Sequence, residues 1–471
     1  MNLGRSTFKL FLMQSGRSLI LFFAVIYFAR QLGASELGSL FLFQALIGLL
    51  SIPADLGVRG ALEKRLSEGE DPDRMLGSAL FLKAILYACV AAVVLAARPF
   101  VNAYIGADLA IVLILALATF ELSDLFVQTL RGELRVGETA GVMFTQRLLW
   151  VSIGAVAVSL GYGVMAIAVA LAVSGLVTAV WGYTKCRTRI GRPAIGPIRS
   201  LVRYAKFHAI SSTGGRVYQW MDVAIIGFFL TQQFVSVYEV SWQVTLLVLL
   251  VSKSIGWTIF PQVSQWDADG NQDEIEWVVS KGISFGLLFS VPALVGGTIF
   301  APELLGFLFG PEYAIGAAVL AILLVEKLVQ SVDDIIESTL RGIDRPDLAA
   351  IATLVTVGVN LVLNPVLVLT VGFVGAAIAT TVAGIVSAAL HSYYLSRLIT
   401  IEFPYRIAGW YVASSALMGA ILLGVQSIVP VTNTAVLFAM IGFGMVLYGI
   451  FVISISTVRN DVVVPAVRAL I

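Results

Sequence analysis

The stretch TGGRVYQWMDVAIIGFFL, Thr213–Leu230, is long and apolar enough to cross a bilayer, yet it carries Arg216 and Asp222 within its length. An ionisable side chain at membrane depth costs about 3 kcal/mol on insertion scales, so it normally turns toward protein or a watery cavity. A similar helix opens the chain. Ser15-Gly16-Arg17 precedes LILFFAVIYF as Gly214-Gly215-Arg216 precedes the second apolar run, 199 positions later. Two glycine-arginine helices at that separation predict a chain built from two copies of one helical bundle.

Composition sets the class. Hydrophobic residues make up 59% of the 471 and charged residues 13%, with mean hydropathy +0.94. A water-soluble chain carries about twice that charged fraction, so the expected fold is an all-α polytopic membrane protein. No polar stretch exceeds about 25 residues, too short for a soluble catalytic domain. The N-terminal segment has no small-residue cleavage site and runs directly into another apolar segment, so it does not read as a cleaved signal. Cys89 lies in an apolar segment and Cys186 in a basic loop, which predicts neither a disulfide nor a metal site.

Apolar runs of about 20 residues fall near 10–32, 37–58, 76–97, 109–128, 140–160 and 163–184. After a basic loop they resume near 207–230, 236–262, 280–300 and 313–337, then 348–370, 372–395, 406–427 and 434–456. These fourteen transmembrane helices predict an N-lobe of six spans at 1–184 and a basic cytoplasmic linker at 185–206. A C-lobe of six spans follows at 207–396, and a helix pair with the C-terminal tail at 397–471. Lys and Arg between spans collect on one side, the linker alone carrying Lys185, Arg187, Arg189, Arg192, Arg199, Arg203 and Lys206; the other side has Arg30 and Arg98. That bias puts both termini in the cytoplasm. Eight Lys against twenty-two Arg, with an acidic loop at Gln265–Glu276, point to a halophilic source.

The duplication extends beyond the opening helices. Thr129-Leu130-Arg131-Gly132 recurs as Thr339-Leu340-Arg341-Gly342 at an offset of 210, and the same register matches Arg135 with Arg345 and Asp124 with Asp334. Each tetrapeptide ends a span, where its arginine is expected to satisfy terminal carbonyls and the helix dipole. An even number of spans per copy makes the repeats parallel, with the substrate path expected between the lobes.

Enzyme signatures are lacking: no phosphate loop, and no strand-turn-helix setting for Gly214-Gly215. His208 and His391 read as interfacial residues. Charge inside the spans stands out instead. Lys83 and Arg147 lie near span ends and are expected to snorkel. Arg17, Arg216, Lys253 and Lys327 lie deeper and are candidates for a cationic cavity wall, where a guanidinium fork suits phosphate. The alternative for each of the four is a structural pair with an acid such as Glu239 or Glu326. Glu326, Gln330, Asp333, Asp334 and Glu337 share one helix face.

These features resemble a known group. DLGVRGALEKR after the second span and NLVLNPVLVLTVGFVGAAIAT at Asn360–Thr380 are similar to the Wzx-like oligosaccharide flippases of the polysaccharide transporter family, within the multidrug/oligosaccharidyl-lipid/polysaccharide exporter superfamily. The resemblance implies translocation of a polyprenyl- or dolichol-phosphate-linked sugar or oligosaccharide to the outer leaflet of the cell membrane, for surface polysaccharide or protein glycosylation. It implies no catalysis and no cofactor beyond a coupling Na⁺ or H⁺. By the same resemblance Asp222, Asn360, Asn364 and Thr380 match a coupling-cation site; the alternative is an interhelical polar contact. The expected partners are the lipid-linked glycan and membrane lipids, with no nucleic acid and a monomeric protein. Alternatives are a cation-coupled multidrug antiporter, which Arg17 in the first helix disfavours, and a lipid II-type flippase.

Overall fold

The first helix of the chain is interrupted at Gly33, whose backbone (φ 74, ψ 174) lies in a region that glycine alone enters readily. This single residue turns α1 (Leu3–Asp55) into two consecutive spans. The structure, a computed structural model, describes the backbone of residues 3–69 and 71–454, with the side chains in that range except 3–18, 207, 210–212, 251, 257 and 258. Arg17 therefore lies outside the described side chains.

Seventeen helices and no strand are found among the described residues. After α1 come the short α2 (Val58–Ser67) and the spans α3 (Pro72–Ala96), α5 (Ala110–Gly132), α6 (Val136–Ser159) and α7 (Val164–Lys185), with α4 (Arg98–Ile105) between α3 and α5. α8 (Ile195–Phe229) is followed by α9 (Gln232–Leu246) and α10 (Leu249–Ala268), which together make one interrupted span. Then follow α11 (Gln272–Ile299), the short α12 (Ala301–Leu308), a 3₁₀ turn at Pro311–Gly316 and α13 (Ala317–Gly342). The chain closes with α14 (Pro346–Val371), α15 (Phe373–Ser396), α16 (Tyr405–Ile428) and α17 (Thr434–Ile453). Eleven helical segments are long and apolar enough to cross a membrane, and the α1 segment holds two spans. With α8 and the α9–α10 pair, whose charges lower their hydropathy, the described residues give the fourteen spans expected.

The described chain forms two compact units, residues 19–236 and residues 237–454 together with 3–18. In the first, Val58, Leu62, Leu76, Leu125, Leu130 and Leu201 belong to one buried cluster. In the second, Ile259, Ile283, Leu287, Ile335, Leu340 and Leu437 do the same. The segment at Arg98–Asp108 is not a plain loop, because Pro99 sits in the first turn of α4, where its missing N–H costs nothing. The basic stretch after α7 is also more ordered than a linker. It is helical from Ile195, with Leu201 and Ala205 buried in the first-unit core while Arg199, Arg203 and Lys206 face out. Before that helix, Glu133 accepts the backbone N–H groups of Arg187 and Thr188 at 2.8 and 2.7 Å. Partial burial works against the charge of Glu133, but these N–H donors outweigh it and hold the carboxyl below its usual range.

The two copies end their matching helices alike. Leu134 and Asp344, 210 residues apart, both take positive φ (61° and 59°). Arg135 N donates to Leu130 O at 2.9 Å, and Arg345 N to Leu340 O at 3.0 Å. The arginines of the tetrapeptides differ from expectation: Arg131 donates to Gln128 and Arg341 to Glu337, neither to a terminal carbonyl. The positive-φ turn already satisfies those carbonyls from the backbone. The tetrapeptide glycines serve close packing. A Cβ on Gly132 would lie 2.7 Å from Leu66 Cβ, and one on Gly342 would lie 2.7 Å from Val263 Cγ1. Gly132→Ala should therefore cost about 1–3 kcal/mol through overpacking, read as a lowered thermal midpoint in detergent. Gly137→Ala, where a Cβ meets open space, is the control and should leave the midpoint unchanged.

Candidate functional site

α8 lies antiparallel along the second half of α1, and small residues on both let them approach. A Cβ on Gly48 would lie 2.2 Å from Trp220 Nε1, and a Cβ on Gly227 of α8 would lie 2.2 Å from Leu42 Cδ2 of α1. One turn from Trp220, Arg216 Nη1 donates to Ser51 Oγ at 2.7 Å. No ion pair to Arg216 is found among the described residues. Its neighbours Gly214 and Gly215 border open space, since a Cβ on either meets nothing within 4 Å. Among the described residues the result is a half-buried guanidinium held by one neutral hydroxyl beside bare backbone. Asp222, less than two turns further along α8, is buried at 8% exposure.

The first unit holds a charge cluster that sequence reasoning missed. Lys83 does not snorkel: it is 5% exposed, and its Nζ lies 2.6 Å from Asp55 Oδ1 and 2.5 Å from Glu121 Oε2. Asp55 also faces Arg59, with Nε to Oδ2 at 3.4 Å, and Arg59 pairs in turn with Asp124. Three acids and two bases thus tie together α1, α2, α3 and α5. The reason is geometric, because Lys83 on α3 lies between Asp55 at the end of α1 and Glu121 on α5, so two carboxylates are within reach of its ammonium. Arg147 stacks instead on Trp150, its guanidinium carbon 5.5 Å from the ring centroid. Only the presence of an unpaired base and two acids in neighbouring spans signalled the cluster in the sequence.

In the second unit Lys327 is fully buried. Its Nζ is 2.6 Å from Glu326 Oε2, 2.9 Å from Gln330 Oε1 and 3.5 Å from the centroid of Trp242. Lys253 on α10 is exposed and lies within electrostatic reach of Asp334 and Lys327. Asn360 and Asn364 on α14 are both buried. Asn360 Nδ2 donates to Thr380 Oγ1 on α15 at 3.0 Å, and Asn364 Nδ2 to Asn360 Oδ1 at 3.1 Å. Asn360, Asn364 and Thr380 are thus brought together, while Asp222 belongs to the first unit. His391, expected at an interface, is instead buried against Asp333. Both cysteines are free, and among the described residues no group of three His, Cys, Asp or Glu is placed to hold a metal.

Residues 27–319 match the family model described as polysaccharide biosynthesis protein. The chain is 42% identical over 460 residues to the "probable low-salt glycan biosynthesis flippase Agl15" of Haloferax volcanii, covering 98% of each chain. It is 26% identical over 440 residues to that organism's "probable flippase AglR", covering 92% of this chain and 91% of the other. Among solved structures it resembles the lipid II flippase MurJ in an inward closed conformation, with TM-score 0.79, 16% identity, and 96% and 99% of the two chains covered. An inward-facing multidrug resistance transporter of the MATE family matches with TM-score 0.60 at 17% identity, over 81% of this chain and 95% of that one. The structural likenesses show the fold, a helical transporter architecture.

Removing the base at the centre of the charge cluster strands two carboxylates. Lys83→Ala should cost about 3–5 kcal/mol and reduce the folded fraction on size-exclusion chromatography. Adding Asp55→Asn and Glu121→Gln should recover most of the loss. A stable single mutant would mean that water reaches the pair.

Proposed function

We propose a mechanism from the premise that this chain belongs to the polysaccharide biosynthesis protein family and spans the membrane many times. It is a flippase that carries a lipid-linked glycan from one leaflet to the other, as the named activity of its relatives supports. The carrier is a polyprenyl or dolichol phosphate, and the glycan goes to surface polysaccharide or protein. The protein works as a monomer in the cell membrane with both termini in the cytoplasm, an orientation favoured by the Lys and Arg bias.

One observation carries the phosphate reading. Arg216 lies within a span, bonded to the neutral Ser51 hydroxyl, beside the open surface of Gly214 and Gly215. An arginine so placed presents a planar fork to two phosphate oxygens, while the lipid tail stays in hydrocarbon. Arg17, Lys253 and Lys327 are further cations on the phosphate path in this reading. The contacts of Lys327 with Glu326, Gln330 and Trp242 give it less freedom to exchange partners than Arg216 has. Asp222, Asn360, Asn364 and Thr380 are assigned to a driving Na⁺ or H⁺, since they offer a carboxylate and neutral oxygens.

Arg216→Ala should lower surface glycan tenfold or more, about what losing a charge-assisted hydrogen bond implies, with membrane level unchanged on immunoblot. Arg216→Lys should restore only part of the activity, because one ammonium cannot hold two oxygens in the same plane. Normal glycan in both variants would remove the phosphate role. For coupling, Asp222→Asn should flatten the dependence of transport on the Na⁺ or H⁺ gradient. A dependence equal to wild type would assign Asp222 to packing.

A further inference from the structure

His391 lies on α15 at 1% exposure, and both of its ring nitrogens face oxygen. Nδ1 is 2.8 Å from Asp333 Oδ1 on α13, and Nε2 is 3.4 Å from the carbonyl oxygen of Ala349 on α14. Ser387, one turn earlier on α15, donates its hydroxyl to Asp333 Oδ2 at 2.8 Å and lies 3.4 Å from Nδ1. A carbonyl and an ionised carboxylate only accept, while a neutral imidazole has a single N–H to donate. The neutral ring therefore satisfies one of the two oxygens. The imidazolium satisfies both and joins α13, α14 and α15 through one side chain.

The surrounding charges can be followed helix by helix. α15 carries no other ionisable residue except Tyr393 and Tyr394 near its end. α13 supplies Asp333, then Glu337 one turn on, whose charge also acts on the ring, and Asp334, which lies in the field of Lys253. The one acid of α14, Asp347, is exposed at the helix start and paired with Arg345. The ring thus has one direct ionic partner.

The duplication shows that packing alone does not require this arrangement. At the offset of 210, Asp333 corresponds to Ser123. In the first unit Ser123 Oγ meets Thr178 Oγ1 of α7 at 2.9 Å. The same helix seam is closed there by two hydroxyls and no titratable group. Only the second copy places a carboxylate and an imidazole at that point, in a buried seam that neutral groups suffice to hold. The same α14–α15 pair carries a neutral lock a few turns away, the Asn360–Thr380 bond.

We propose that His391 and Asp333 form a proton-binding site that couples the transport cycle to a proton gradient. A proton adds to the lone pair of Nε2 and gives an imidazolium bonded to both Asp333 and Ala349. On release the ring keeps its Nδ1–H toward Asp333 and loses the Ala349 contact, freeing α14 from that tie. No other bond changes and no co-reactant is needed. The coupling half of this proposal rests on the flippase reading; the proton site itself does not.

The test separates the two. Because the chain has two histidines, the His208→Gln protein labelled with ¹⁵N-imidazole and placed in nanodiscs reports one ring. Its ¹⁵N shifts should pass from imidazolium to a neutral Nδ1–H ring between about pH 5 and 8, and Asp333→Asn should move the midpoint and weaken the tautomer bias. Shifts that stay constant across that range, charged or neutral, would overturn the site. In proteoliposomes, movement of a fluorescent farnesyl-phosphate monosaccharide, scored by dithionite quenching, should change several-fold across the same pH range. His391→Gln should flatten that profile, and its thermal midpoint reports whether it has folded. A titrating ring with an unchanged profile in His391→Gln would refute coupling. A titrating ring with no probe movement in wild type would count against the flippase reading and leave the proton site standing.

Discussion

A charge in a low-dielectric interior must be answered by another charge or by a full set of hydrogen bonds, and most of the placement seen here follows from that requirement. Lys83 shows it most directly. A lysine in the middle of α3 finds Asp55 and Glu121 on two different neighbours, and Asp55 then recruits Arg59, which recruits Asp124. Each member removes the cost of the one before. The helices that carry them cannot slide past one another without exposing an unpaired ion, so the cluster sets register as well as charge balance. Lys327 meets the same requirement differently, with a carboxylate and an amide from its own helix and an aromatic face from α9.

Much of this could be read from the residues. Apolar runs located all fourteen spans because lipid enforces a length and a composition on each. The repeat was visible because Arg and Gly are costly to place by chance in apolar helices, and the positive-φ turns at Leu134 and Asp344 show what the shared tetrapeptide is for. The fate of single charges was not legible. Snorkelling and pairing require the same residue at the same depth, and the choice for Lys83 depends on which faces α1, α2 and α5 turn toward α3. His391 was misplaced for the same reason: its distance from the span end suggested an interface, whereas the rotation of α15 points it at α13. The break between α9 and α10 at Leu247 and Val248 also carries no glycine or proline to announce it.

Duplication gives the two units one plan, and their differences show where selection for something other than packing acted. The ends of α5 and α13 are alike in backbone turn, in hydrogen bond and in the close approach at glycine. One turn or two before those ends the copies diverge. Asp124 is neutralised by a base on α2, whereas Asp334 lies within electrostatic reach of Lys253 on α10, and Ser123 is replaced by Asp333. If the charges served only to hold helices together, both copies would be expected to keep the cheaper neutral contact.

The contrast between Arg216 and the other buried cations follows the same logic. Lys83 is held between two carboxylates, and Lys327 by one carboxylate, an amide and an aromatic face, so an anion reaching either meets a short ion pair already made. Arg216 is satisfied by a hydroxyl, which an anion can supplement without displacing anything charged. The two glycines before it keep the adjoining surface clear. Helix propensity argues against glycine there, by roughly 1 kcal/mol for each residue relative to alanine. Two in succession within a long helix therefore cost stability that packing does not return, since a side chain at either position would meet no neighbour among the described residues.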